Sequence, residues 1–368
     1  MPFMDCFVRP EILTGRPARH GGLDYARLRK EGVPAEEVLD FSVSTNPFPP
    51  CPEIADAVAG AALTRYPDSA SGELRAALAE LHGVAPESVL VTNGLAQAIF
   101  LCAFAFADRG KTVLIASPTF GEYRSASEFA GADVLDVPAP EENGFAFPLD
   151  GLEDRIRTAR PSLAWVCSPN NPTGILPTKE EFLRLLSACD DTDTLLVLDE
   201  AYVNFAPPGS SALPLMRPGL ILLRSMTKDY GLTGLRLGYI LGDPALVGRL
   251  SSLQPPWSVN ACAQAAGLAA LRARGYYEAQ WDGLRSLAAG LARNLAEAGF
   301  PPLPSSGNFL LFRAGDAERL KGFLWQRRIL VRDCSSFGLP GYVRVGVKSG
   351  EENRRLVECL AEYRKEAS

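Results

Sequence analysis

The residues in this chain most able to do chemistry are one lysine and one aspartate, each at the end of an apolar run. Leu220-Ile221-Leu222-Leu223-Arg224 leads into Ser225-Met226-Thr227-Lys228. A lysine at the end of a buried strand is desolvated, its pKa falls, and the neutral amine attacks a carbonyl carbon. Asp199 opens Asp199-Glu200-Ala201-Tyr202 after a run ending at Leu198, where a carboxylate is costly unless a cation meets it. Three further polar breaks follow apolar runs. Asn93-Gly94-Leu95-Ala96 begins a helix and offers free backbone N–H groups to an anion such as phosphate. Ser117-Pro118-Thr119-Phe120 brings an aromatic ring. Ser168-Pro169-Asn170-Asn171-Pro172-Thr173-Gly174 puts hydrogen-bonding groups where core residues would otherwise sit.

The elements that must position these residues read as an alternation. Residues 89–92, 112–116, 132–137, 163–167, 194–198 and 220–223 are short apolar strands. Between them lie helical patterns at 95–107, 123–130 and 179–186, with an earlier one from Ser71 carrying Leu74, Leu78 and Leu81 on one face. Such alternation predicts an α/β fold, a mostly parallel doubly wound sheet covered on both faces. Ligands of that architecture collect beyond the carboxyl ends of the strands, where the polar breaks fall. Gln254-Pro255-Pro256-Trp257 marks a boundary. The expected division is an N-terminal arm at 1–44 packing with the small domain, a large ligand-binding domain at 45–254, and a smaller α+β domain at 255–368. In that last part, helices at 261–273, 276–298 and 351–363 alternate with strands at 308–312, 329–331 and 342–347.

Composition excludes several classes. With 368 residues, 22% charged and 47% hydrophobic, the chain has the makeup of a folded protein with more than one core. A net charge of −6 argues against a nucleic-acid partner. Effector-sensing regulators carry an added DNA-binding domain, which about 40 irregular residues ahead of the fold do not supply. The longest apolar run, 95–107, is too short to span a bilayer and contains Gln97. Absence of a signal pattern predicts a cytoplasmic protein. The eight cysteines lack CxxC spacing and read as free thiols, and with two histidines no metal centre is expected.

A lysine for a Schiff base, an aspartate for a pyridine nitrogen, donors for a ring oxygen, an aromatic for stacking and an anion pocket together suit pyridoxal 5′-phosphate. The ordered set NNPTG, DEAY, SxTK and GLRLGY resembles fold-type-I pyridoxal-phosphate enzymes of the class I/II aminotransferase superfamily, from about Asp40 to the C-terminus. The resemblance implies that Lys228 carries the cofactor and moves protons, and that Asp199 partners the pyridine nitrogen. It makes Tyr202 and Asn171 donors to the ring oxygen and Phe120 the stacking aromatic. Gly94, Leu95, Ala96, Ser225 and Arg236 form the phosphate cup. Tyr66, in Arg65-Tyr66-Pro67-Asp68, reaches the neighbouring subunit's cofactor phosphate in a homodimer. Arg344, in Tyr342-Val343-Arg344-Val345, clamps the substrate carboxylate.

Two subfamilies fit. Histidinol-phosphate-type aminotransferases share these motifs, and the loop Asp229-Tyr230-Gly231 is closer to theirs. Threonine-phosphate decarboxylases of cobalamin biosynthesis share them too, and resemble the chain also at His20-Gly21-Gly22 and at Val331-Arg332-Asp333-Cys334-Ser335-Ser336-Phe337. That resemblance implies that His20, Arg332 and Arg344, with Asn308, gather around a phosphorylated amino acid. The run Ser42-Val43-Ser44-Thr45-Asn46-Pro47-Phe48-Pro49 departs from the family, which more usually has a glycine after the proline. The decarboxylase is the favoured expectation and the aminotransferase the alternative.

Overall fold

Among the described residues, twelve strands order the chain: β1 (Leu39–Asp40), β2 (Val89–Asn93), β3 (Thr112–Ser117), β4 (Asp133–Pro138), β5 (Leu163–Cys167), β6 (Leu195–Asp199), β7 (Leu220–Ser225), β8 (Leu237–Gly242), β9 (Phe309–Arg313), β10 (Ile329–Leu330), β11 (Arg332–Asp333) and β12 (Tyr342–Gly346). They come from a computed structural model that describes residues 7–367. The first six residues of the expected arm, Cys6 among them, and Ser368 lie outside that range.

Seven strands form the main sheet in the order β2-β8-β7-β6-β5-β3-β4, parallel except for β8. In β5, β6 and β7 every residue is buried, as in a sheet covered on both faces. The two-residue period divides β6 between two cores. Leu195 and Val197 join helices Gly94–Phe106, Glu122–Ala130 and Pro244–Leu253 on one side. Leu196 and Leu198 join helices Gly72–His82, Leu149–Ala159 and Lys179–Asp190 on the other. Thr178 and Glu181 form a capping box that starts Lys179–Asp190.

β8 has no counterpart in the sequence-based expectation. Its first three residues, 237–239, end the GLRLGY stretch, to which the sequence reading gave no element. A short turn, Thr233–Leu235, with Arg236 in the left-handed region (φ 60°), reverses the chain and inserts β8 antiparallel between β2 and β7.

The smaller sheet, β11-β12-β9, is antiparallel. β10 stands apart from it and pairs in parallel with β1, so that the arm is fastened to the C-terminal region. The arm itself contains helices Pro10–Thr14 and Tyr25–Glu31, where the sequence reads as irregular. Helix Ala261–Arg272 follows residue 254 yet packs on helices Glu53–Ala59 and Gly72–His82 of the main sheet's side. Helix Arg274–Glu297 runs on from there to the smaller sheet. Among the described residues, no helix is long and apolar enough to cross a membrane, and no cluster of three metal-ligating side chains occurs.

Candidate active site

Asp199 is the last residue of β6, and Lys228 follows the end of the neighbouring β7 by three residues. Both line one cavity of about 310 Å³ at the carboxyl ends of the strands. Asp199 is 3% exposed. The Tyr123 hydroxyl donates to its Oδ2 at 2.7 Å and the Ala201 N–H to its Oδ1 at 2.9 Å. Burial pushes its pKa up to about 6, against the pull of those two donors. Lys228 moves the other way, down to about 8, first through burial and then through the nearby Arg344 and Arg236 guanidiniums, with Asp199 opposing. Among the described residues, its amine has no hydrogen-bond or ion-pair partner.

Ser225 and Thr227 share a hydroxyl–hydroxyl bond of 2.7 Å at the cavity wall, beside Leu95 and Ala96. Arg236 lies against the start of helix Gly94–Phe106. A Cβ on Gly94 would stand 3.0 Å from Arg236 Nη2 and press on the guanidinium, and the φ of +68° there strains any residue but glycine. Phe120 lines the cavity edge-on to Tyr123, and Tyr123 stacks on Trp165 at 5.1 Å. Tyr202 lines it too, edge-on to Phe309, its hydroxyl pushed up in pKa by burial.

The opposite wall comes from the small sheet and the arm. Arg344 in β12 is 5% exposed and pairs across the ladder with Arg332 in β11. It donates through Nη1 to Asn171 Oδ1 and through Nη2 to the Ser42 carbonyl at 2.8 Å, while its buried Nε has no partner. Arg332 donates to the His20 carbonyl at 3.0 Å, the Arg19 carbonyl at 2.6 Å and Ser336 Oγ at 2.7 Å. Its pKa is lowered by burial and by Arg344. His20 Nε2 meets Glu122 Oε1 at 2.7 Å.

Thus His20, Leu95, Ala96, Phe120, Asn171, Asp199, Tyr202, Ser225, Lys228, Arg236, Arg332 and Arg344 share one cavity. Three residues of the expected set are outside that lining: Gly94, which lies beside Arg236 at the start of its helix, Tyr66 and Asn308. Tyr66 is 79% exposed and stacks on Trp257 at 4.4 Å. Asn308 is 1% exposed, outside the lining, with neither side-chain polar atom hydrogen-bonded. Tyr123, Glu122 and Thr227 are among the lining residues that the sequence reading did not name as site candidates. Thr227 lies inside the quoted SxTK run, whereas Tyr123 read only as the start of a helix.

This donor set fits pyridoxal phosphate: a lysine amine without a partner, a buried carboxylate on the adjacent strand, and a glycine-lined helix start with a guanidinium against it. Comparison with known proteins agrees. Residues 36–360 match the family model for aminotransferase class I and II. The histidinol-phosphate aminotransferase of Symbiobacterium thermophilum is 35% identical over 331 residues, 88% of this chain and 90% of that protein. The threonine-phosphate decarboxylase of Salmonella typhimurium is 33% identical over 353 residues, 93% of this chain and 95% of that protein. The solved histidinol-phosphate aminotransferase of Sinorhizobium meliloti, in complex with pyridoxal 5′-phosphate, shares the fold, with a TM-score of 0.88 at 23% identity over 98% of each chain. The chain belongs to the aminotransferase class I and II family and is a pyridoxal-phosphate-dependent enzyme.

Proposed function

We propose that the enzyme is a lyase that removes the α-carboxylate of an O-phosphorylated amino acid, L-threonine O-3-phosphate being the best candidate. The observation that carries this reading is the cross-strand pair Arg332 and Arg344, lining the same cavity as Lys228, with His20 beside them. Two adjacent guanidiniums repel, and partial burial strengthens the repulsion. A ligand with two anionic groups relieves it, and a phosphorylated amino acid carries both a carboxylate and a phosphate. Histidinol phosphate carries only the phosphate, so in a transaminase the pair would meet two anionic groups only with the dicarboxylate co-substrate.

Bound pyridoxal phosphate supplies an electron sink for the amine-bearing carbon of the substrate. The protein does the rest. Asp199 partners the pyridine nitrogen, with Tyr123 and the Ala201 N–H fixing the carboxylate's direction. Arg344, held by Asn171 and the Ser42 carbonyl, grips the α-carboxylate. Arg332 and His20 take the phosphate. When the carboxylate leaves as carbon dioxide, its bonding electrons remain with the substrate, and Lys228 Nζ delivers the replacing proton. With a pKa near 8, that amine can both hold and release a proton close to neutral pH.

A homodimer belongs to the same reading, because Tyr66 projects from the surface and does not line its own subunit's cavity. A place in cobalamin biosynthesis and a cytoplasmic setting accompany it. A second reading, a histidinol-phosphate-type aminotransferase using glutamate and 2-oxoglutarate, is favoured by the 35% identical relative and by the loop Asp229-Tyr230-Gly231. One experiment separates them. Holoenzyme mixed with O-phospho-L-threonine should release carbon dioxide. Conversion of the cofactor to its pyridoxamine form by histidinol phosphate, without carbon dioxide from phosphothreonine, would replace the lyase reading with the transaminase.

A further inference from the structure

Glu122 is an acidic side chain in a cavity whose far wall is built to receive anions. A carboxylate there repels a phosphate unless something neutralises it. Its partner is His20 Nε2 at 2.7 Å. An ionised carboxylate only accepts hydrogen bonds, so Nε2 carries the hydrogen of that bond, and Nδ1, which has no partner among the described residues, donates to a phosphate oxygen when the ring carries its second proton.

The backbone around His20 is fixed from both sides. Arg332 Nη1 takes the His20 carbonyl, Ser125 Oγ donates to the Arg16 carbonyl at 2.8 Å, and the Gly22 N–H donates to Ser42 Oγ at 2.7 Å. Gly21 runs so close to the Ser42 carbonyl that an added Cβ would stand 2.6 Å from that oxygen. The imidazole ring lies tilted against Phe120, centroids 5.6 Å apart. With the backbone pinned, the remaining freedom is rotation of the half-exposed ring, and the bond to Glu122 restrains it. Glu122 also stands between Phe120 and Tyr123, one facing the cavity and the other bonded to Asp199, so a single turn serves both ends of the site.

We propose that Glu122 is the positioning residue of the phosphate subsite: it holds His20 by Nε2 and presents Nδ1 to the substrate's phosphate. This rests on the assignment of His20 and Arg332 to that phosphate. The test uses holoenzyme carrying Glu122→Ala, Glu122→Gln, Glu122→Asp, His20→Ala or the double substitution His20→Ala/Glu122→Ala. The readouts are KM and kcat for O-phospho-L-threonine and, by calorimetry, the Kd of inorganic phosphate. Glu122→Ala should raise both KM and Kd about tenfold, with kcat changed less than KM. Glu122→Asp should recover part of the loss, and the double substitution should bind no worse than His20→Ala alone. Glu122→Gln, nearly the same shape, reports on the charge should the alanine variant fold poorly. Additive losses in the double substitution, or tighter phosphate binding without the carboxylate, would overturn the proposal. A normal response to His20→Ala with silent Glu122 variants refutes the role of Glu122 alone. An unaffected His20→Ala refutes the phosphate assignment and this inference together.

Discussion

The two walls of the cavity are built differently. Asp199 and Lys228 sit at or just beyond the ends of adjacent fully buried strands, so the main sheet's ladder sets their separation. His20 and Arg332 are 312 residues apart in the chain and meet through one side chain-to-carbonyl bond at the surface of the arm. The first wall gains its rigidity from packing, which any sequence with the right core supplies. The second depends on a few polar contacts, each worth about 1 kcal/mol, which single substitutions can rewire. On the proposed function, cofactor chemistry would belong to the first wall and substrate choice to the second.

Substitutions should divide along that line. Lys228→Ala should lower kcat for every substrate by at least about 10³-fold and abolish borohydride-dependent attachment of the cofactor, read by peptide mapping. A label appearing on another lysine breaks the comparison at its root. Arg344→Ala, which removes a buried charged fork, should cost about 3 kcal/mol, roughly 10²-fold in kcat/KM for amino-acid substrates. Tyr123→Phe removes a donor to Asp199 that favours its ionised form. The carboxyl should rise further above about 6, and the acidic limb of the kcat/KM profile should move to higher pH, with about tenfold loss in kcat. Arg332→Ala sharpens the contrast: its effect, about tenfold, should fall on KM for phosphorylated ligands alone. An equal loss with unphosphorylated substrates would erase the division.

The first wall was legible in the sequence because its residues follow apolar strands, and strand ends are local signals. Lys228, Asp199 and Asn171 could be named from their neighbours in the chain. Tyr123 could not, since its spacing matches a helix core, and only the closure of helix Glu122–Ala130 onto β5 and β6 brings its hydroxyl to Asp199. β8 was hidden because Gly238 and Gly242 interrupt its apolar run, whereas the packed sheet holds all six residues in a buried strand. His20 and Arg332 were reached through family resemblance, and nothing in their spacing predicts that they touch. Tyr66 was named through the resemblance alone, and the fold leaves it exposed and outside the cavity.

The smallest effect tests whether the lysine-bearing turn belongs wholly to the rigid wall. Asp229, next to Lys228, is buried and accepts from Asn204 Nδ2 at 2.6 Å and from the Tyr230 N–H at 2.9 Å. Burial lifts its pKa from the ordinary 3.8 to about 7, with Asn204, Tyr230 and the Arg224 guanidinium pulling down. The folded chain thus keeps a proton that the unfolded chain has lost between pH 4 and 7. Stability falls as pH rises through that window, and the penalty is complete above pH 7. Asp229→Asn removes the penalty and keeps an acceptor. The variant should match the parent near pH 4 and exceed it by about 2 kcal/mol at pH 8, measured by urea denaturation of the apoprotein. A stability difference that stays flat between those pH values would show that Asp229 does not titrate on folding. The turn would then be held by its backbone contacts, the Asp229 carbonyl to Asn46 and Trp281, and not by the carboxyl beside the lysine.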